Sequence, residues 1–396
     1  MRFLVVVAGC VLPFAVAAAE PAASTPRAGF NPDISLILSG QYGYFSNDPD
    51  AYTLPGIMRG PETAPGPRGL SLAESELIIS ANVDDLFYGQ LTAAITPEHE
   101  VELEEAYVQT LGLPGGTTLR AGRFLSAIGY LNSQHPHSQD FADVPLPYRA
   151  LLGNKYGDDG VRLSWVAPLD LYVQLGGEML RGENFPAAGA ARAGRGAWTA
   201  YAQFGGDVGA SHAWRAGLSY LRARAVDRES GDIENAPDAF SGDSRIAIAD
   251  FVWKWSPNGN QKERNFKLQG EYLWRDESGS FTADLNSVNA PALTDAFTAT
   301  QSGWYLQAVW QFMPHWRIGL RHDQLRTHAL DAGANGAVFA GTEYTPHRTS
   351  AMLDWSRSEF SRVRLQVTRD RSAPDAGSEV ILQYIMSLGA HGAHAF

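Results

Sequence analysis

Cysteine is almost missing from this chain: Cys10 is the only one among 396 residues, and it falls inside the N-terminal leader read below. Beyond that leader there is no disulfide, no thiolate-held metal and no thiol nucleophile to consider. Lysine is nearly as scarce. Lys155, Lys254, Lys262 and Lys267 are the only ones, the other basic residues are arginine, and the formal net charge of −12 excludes a basic nucleic-acid-binding surface. No run of about 18 apolar residues follows the leader, so no transmembrane helix is available. A G-x-S-x-G elbow and a compact Ser/His/acid constellation are also lacking, so an enzyme is not expected and ranks last among the function classes.

What the chain does have begins with MRFLVVVAGCVLPFAVAAAE. One cation, an apolar run and Ala17-Ala18-Ala19 read as a secretory signal peptide over residues 1–19. Val7 to Cys10 also looks like a lipoprotein box, but the apolar core ahead of Cys10 is short. Residues 20–33 read as a short periplasmic segment, and residues 34–396 as the folded domain.

Aromatic residues are abundant, with 10 Trp, 15 Tyr and 18 Phe, and apolar residues recur at every second position. Ile34, Leu36, Leu38, Tyr42 and Tyr44 share one parity, while Ser35, Ser39 and Gln41 share the other. Such alternation gives one oily and one wet face. It recurs in about sixteen segments, from Leu77 to Val83 and Phe87 to Ile95 through to Val380 onward. An even number of two-faced strands without a membrane helix predicts an all-β fold, a transmembrane antiparallel β-barrel.

Connection lengths support the count. Long connections are expected at 46–69, 125–157, 181–196, 222–243, 276–302 and 327–349, each after an odd strand. Short turns are expected at 84–85, 112–117, 167–170, 313–315 and 357–361. Long loops on one side and tight turns on the other are the barrel habit. Two connections break the pattern in part, 96–100 being short on the long side and 256–265 long on the short side, so the third connection on the long side is FLSAIGYLNSQHPHSQDFADVPLPYRALLGNKYG from Phe124 to Gly157, whose three prolines exclude a long helix. Its many apolar residues need a surface to pack on, so it is expected to fold into the lumen.

With its alternating strands, long third loop and terminal Phe396, the chain resembles Gram-negative outer-membrane porins. Glu105-Ala106-Tyr107-Val108, Arg120-Ala121-Gly122-Arg123-Phe124 and Asp159-Gly160-Val161 are similar to stretches of phosphate-selective-type porins. NPDISLILSGQYGYFSNDP, GYLNSQHPH, FADVPLPYRALLG and LQYIMSLGAHGAHAF also resemble chains described as zinc-regulated, TonB-dependent outer-membrane receptors. The porin resemblance implies passive diffusion of small hydrophilic solutes or ions through the outer membrane of a Gram-negative bacterium. It also implies contact with lipid and lipopolysaccharide, recognition of Phe396 by the barrel assembly machinery, and a homotrimer as one assembly. The receptor resemblance implies uptake of zinc or a metal chelate. A TonB-type plug needs on the order of a hundred residues ahead of the first strand, and residues 20–33 do not supply them.

Among inward-facing positions, Arg120, Arg162, Arg317, Arg321, Arg362 and Arg364 are expected to line the pore wall. Asp140 and Asp143 are expected to face the arginines across a constriction, since rings of charge set selectivity in pores. The alternative is that these charges pair and fill a wet wall. His135, His137 and Asp140 are ligand types suited to Zn²⁺, with polar lip residues as the competing reading. No resident cofactor is expected; zinc is considered only as a bound or transported ion.

Overall fold

The computed structural model describes residues 32–60, 63–97, 100–189, 195–230 and 237–389, all within the unit Pro32–Phe396. The proposed signal peptide and Phe396 lie outside the described residues. Strands β1 (Asp33–Phe45), β2 (Gly69–Leu72), β3 (Ser75–Asn82), β4 (Phe87–Ile95), β5 (Val101–Thr110) and β6 (Thr117–Leu125) precede the inserted segment 126–156. After it come β7 (Gly157–Val166), β8 (Tyr172–Leu180), β9 (Ala197–Val208), β10 (His212–Ser230), β11 (Asp238–Trp255) and β12 (Asn265–Ala283). The last are β13 (Leu293–Met313), β14 (Trp316–Asp331), β15 (His347–Ser358), β16 (Ser361–Arg371) and β17 (Gly377–Gly389).

Both β2 and β3 pair with β1, at Gly40–Gly43 and Asp33–Ile37 respectively, so together they occupy one place in the sheet. Every other strand pairs antiparallel with its neighbours in sequence, and β1 closes on β17 from Ser35↔Gly389 to Phe45↔Glu379. The result is a closed antiparallel barrel of sixteen strand positions. Closure removes the free edges that an open sheet would present.

The outer face carries the apolar parity: Leu218 is 61 % and Leu320 64 % exposed, with Leu306, Leu365, Leu382 and Trp310 also open. Exposed leucine at this density is what lipid, not water, would cover. The opposite parity is buried and polar, including Glu76, Glu105, Glu178, Glu271, Arg321, Asp354 and Arg364. Among described residues no helix is long and apolar enough to cross a membrane.

Two expected loops are mostly strand. The segments expected as connections at 222–243 and 276–302 continue β10 to Ser230, start β11 at Asp238, extend β12 to Ala283 and start β13 at Leu293, whereas in 327–349 β14 runs only to Asp331 and β15 starts at His347. These extensions alternate less clearly because polar residues such as those of RARAVDRES sit on both faces. Their inner side is sealed instead by Phe240, Phe281, Phe297 and Phe339, with ring centroids 4.8–5.9 Å apart.

The interior is also drier than a uniformly wet lumen. Leu131, Leu146, Leu151 and Leu152 of the inserted segment pack against Leu221, Ile246, Ile248, Leu273 and Leu325 of the wall. Each fully buried aliphatic side chain of this kind stabilises by about 1.5–3 kcal/mol, so the segment is packed on β10–β14 as a core is.

Candidate functional site

The inserted segment 126–156 holds its own neck shut. Ser126 N–H donates to Tyr156 O at 2.9 Å, Asn132 Nδ2 donates to Ser126 O and Tyr156 O at 2.8 and 2.7 Å, and Tyr156 N–H donates to Asn132 Oδ1 at 2.7 Å. Helix α1 (Leu146–Leu152) is seven residues long and wholly buried. Proline at its start costs no helical hydrogen bond, and Gly153 at φ 63° ends it in the left-handed conformation that favours glycine.

Side chains from most of the wall reach this segment. Glu178 on β8 accepts from Ala127 N–H at 2.9 Å and from Ser126 Oγ. Ser219 on β10 accepts from Gly129 N–H at 3.1 Å. Glu271 on β12 accepts from Tyr130 N–H, Leu131 N–H and the Tyr148 hydroxyl at 3.1, 2.8 and 2.8 Å. Gly129 sits at φ 64°, and a Cβ there would meet Glu271 Oε2 at 2.4 Å, so the close approach requires glycine. These partners, Glu178, Ser219 and Glu271, lie on the buried, polar parity of β8, β10 and β12.

Asp140 and Asp143 do not look at the arginines across an open gap; they are in contact with them. Arg317 Nη1 donates to Asp140 Oδ1 at 2.9 Å, and Lys267 Nζ lies 2.5 Å from Asp140 Oδ2. Asp143 receives Arg348 at 2.6 Å, Arg321 at 2.8 Å, Gln366 at 2.7 Å and Arg149 at 3.4 Å. Burial opposes the charged form of both acids. The Lys267 and Arg317 charges at Asp140, and the Arg348, Arg321 and Arg149 charges at Asp143, overcome it and hold both carboxyls well below the usual carboxylate range.

The expected transverse field therefore becomes a clamp. Arg362 Nη1 donates to His137 O and Gln139 O at 3.4 and 3.3 Å, and Arg364 Nη2 donates to Gln139 O at 2.6 Å. Asp354 on β15 sits among Arg317, Arg362 and Arg364, the latter two at 3.6 Å. Of the six arginines expected on the pore wall, four grip the segment. Arg120 and Arg162 lie elsewhere, bonded to Gln109 at 2.7 Å and to Glu178 at 2.7 Å.

The metal-ligand grouping is also redrawn. His135 and His137 lie together, ring centroids 5.8 Å apart, but Asp140 is committed to Lys267 and Arg317. The carboxylates at the histidines are Glu76 on β3 and Glu104 and Glu105 on β5. Glu104 was hidden because strict alternation turns it outward. A bulge, at which Thr92 opposes Glu105 and Ala93 opposes Leu103, leaves Glu104 as the extra residue. Arg348 was missed because β15 starts at His347, inside an expected loop. Asp354 could have been found, since it shares parity with Ser350 and alternates with the exposed Leu353 and Trp355.

Two cavities lie on the inner face. One of about 630 Å³ is lined on the short-turn side by Gln109, Arg120, Arg162, Gln203, Asp207 and Arg215, with Ala127 and Ser133 of the inserted segment. The other, about 320 Å³, runs between the segment and β1–β17, past Gln41, Gln383, His137, Asp143, Arg149 and Lys155.

This is the fold of the outer-membrane porins. The outer membrane channel DcaP of Acinetobacter baumannii superposes with a TM-score of 0.56 at 10 % identity, over 90 % of this chain and 97 % of that one. OmpT of Vibrio cholerae in trimer form superposes at 0.54, also at 10 % identity, over 90 % and 99 %. No family model matches the sequence. An uncharacterized protein of Aquifex aeolicus is 32 % identical over 395 residues, spanning 93 % of this chain and 80 % of that protein. The chain belongs to the same family as that protein.

Proposed function

We propose that the protein is an outer-membrane porin of a Gram-negative bacterium, passing small hydrophilic solutes by diffusion through a lumen narrowed by segment 126–156. The observation that carries this reading is the pair of cavities, about 630 and 320 Å³, that lie against that segment and are lined in the main by polar residues, within one closed barrel. A lipid-facing belt makes the barrel a membrane body, and polar walls inside it favour water over lipid.

Small anions are the favoured solutes. The charged residues lining the larger cavity are Arg120, Arg162, Arg215 and Asp207. Arg162 is neutralised by Glu178 at 2.7 Å, which leaves Arg120 and Arg215 against one acid. Arg120 is bonded to the neutral Gln109 and lies over the Tyr107 ring, and Arg215 lies 5.0 Å from the Tyr130 centroid, so both keep their charge available to a solute. Reversal potentials in a salt gradient test this: Arg120→Ala with Arg215→Ala should move selectivity toward cations, and no shift would remove the anion preference. A homotrimer belongs to the same proposal, and the mass of the detergent-extracted protein tests it.

A further inference from the structure

We infer that Glu76, Glu104 and His135 bind one divalent transition-metal ion, which ties the inserted segment to β3 and β5. This rests on the cluster's own geometry and stands whether or not the barrel conducts. One ligand atom from each of the three residues lies within 4.8 Å of the others. His135 Nδ1 is 3.2 Å from Glu76 Oε2 and 3.1 Å from Glu104 Oε2. Ligands held at the usual 2.0–2.2 Å around tetrahedral Zn²⁺ stand roughly 3.3–3.5 Å apart, so both separations are close to tetrahedral edges.

Protons alone leave the cluster unsatisfied. An imidazole Nδ1 carries at most one hydrogen, yet two carboxylate oxygens stand within hydrogen-bonding distance of this one. Glu76 Oε2 is the one left over: the residue is 0 % exposed, and that oxygen accepts no hydrogen bond. A cation at the centre would satisfy Nδ1 and both oxygens together.

The surrounding groups are those that orient metal ligands. His135 Nε2 is 3.2 Å from Glu105 Oε2, the carboxylate that would fix the imidazole with Nδ1 free to ligate. His137 Nδ1 is 2.9 Å from Glu76 Oε1, and Lys155 bonds Glu104 Oε1, so in each glutamate one oxygen is tied back while Oε2 points to the centre. Charge agrees with this arrangement. Four carboxylates, Glu74, Glu76, Glu104 and Glu105, surround one ammonium, Lys155, and with neutral imidazoles a doubly charged ion cancels most of the excess. His137, Glu74 and Lys155 also line the cavity of about 320 Å³, which gives an ion its way in.

Equilibrium dialysis of the folded, detergent-solubilised barrel against Zn²⁺ tests the site. One ion per chain is expected, with binding abolished in Glu76→Gln with Glu104→Gln. Glu105→Gln or His137→Ala should weaken it about 10–100-fold. A wild type without saturable binding, or a double variant that binds as wild type does, overturns the inference. Should the double variant fail to fold, Co²⁺ decides with the wild type: strong visible absorption from a four-coordinate ion supports the site, and the weak spectrum of a hydrated, six-coordinate ion refutes it.

Discussion

Replacing Asp143 by Asn keeps the size of the side chain and removes the charge that Arg321 and Arg348 share at 2.8 and 2.6 Å. Both guanidinium groups are almost fully enclosed, at 1 % and 0 % side-chain exposure, so neither can turn to water. Arg321 keeps Asp323 at 3.3 Å, and Arg348 keeps Glu379 and, at 3.7 Å, Asp370, so the loss falls at the lower end of the about 3–5 kcal/mol that breaking a buried ion pair from one side costs. Released locally, about 3 kcal/mol raises the fraction of barrels with the segment detached roughly 10²-fold, at about 1.4 kcal/mol per tenfold. Arg149 in α1, buried in the closed state, reports the detachment. Trypsin cutting after it tracks the open population when opening and reclosing are fast, so cleavage of the folded barrel should accelerate by that factor. Cleavage at the wild-type rate in Asp143→Asn would show that the clamp does not hold the segment, and the argument from buried charge would fail.

Other expectations follow from the same contacts. Asp143 has a depressed pKa, so its stabilising contribution is complete above the unfolded value near about 4 and is lost only as pH falls toward the folded one; trypsin is unsuited to that range, and pepsin digestion should show a closed segment at pH 5 and an opening one below pH 3. Gly129→Ala, with a Cβ 2.4 Å from Glu271 Oε2 at φ 64°, should lower the midpoint of thermal unfolding and free the neck, by about 1–3 kcal/mol; an unchanged midpoint would contradict the packing described for the neck. Leu218→Arg on the 61 % exposed outer face should cost about 2–4 kcal/mol in lipid vesicles if the position lies near the bilayer midplane; a neutral result would place β10 out of the hydrocarbon. Asp140→Asn, which leaves Arg317 and Lys267 without their shared carboxylate, should shift reversal potentials toward anions, and no shift would place Asp140 off the conduction path.

The barrel was legible because lipid on one side and polar groups on the other impose a period of two, and the tight turns between strands kept the count. Where that asymmetry ends, legibility ends with it. The upper parts of β10–β13 stand beyond the alternating belt, so segments such as DESGSFTA have the composition of loops although they pair from Asp276↔Thr300 to Ala283↔Leu293. The inward leucines and isoleucines of β10–β12 give those strands apolar residues on both faces, a pattern explained only by the inserted segment packed on them.

At the site, residue types were readable and partners were not. The histidines, the two aspartates and the four clamping arginines were all identifiable, but sequence spacing could not say that Asp140 meets Lys267 and Arg317, 127 and 177 residues away (267 − 140; 317 − 140), in place of His135. Glu104 needed the bulge in β5, one inserted residue that inverts the parity on which the inward and outward assignments rest.

Conduction by a closed barrel past a clamped segment can be read in single-channel recordings of the purified protein in planar bilayers. Discrete, uniform steps with a zero-current potential of anion sign in a salt gradient are expected, and larger steps from Asp143→Asn. Folded barrels that insert and give no steps, in the wild type and in Asp143→Asn alike, would contradict it.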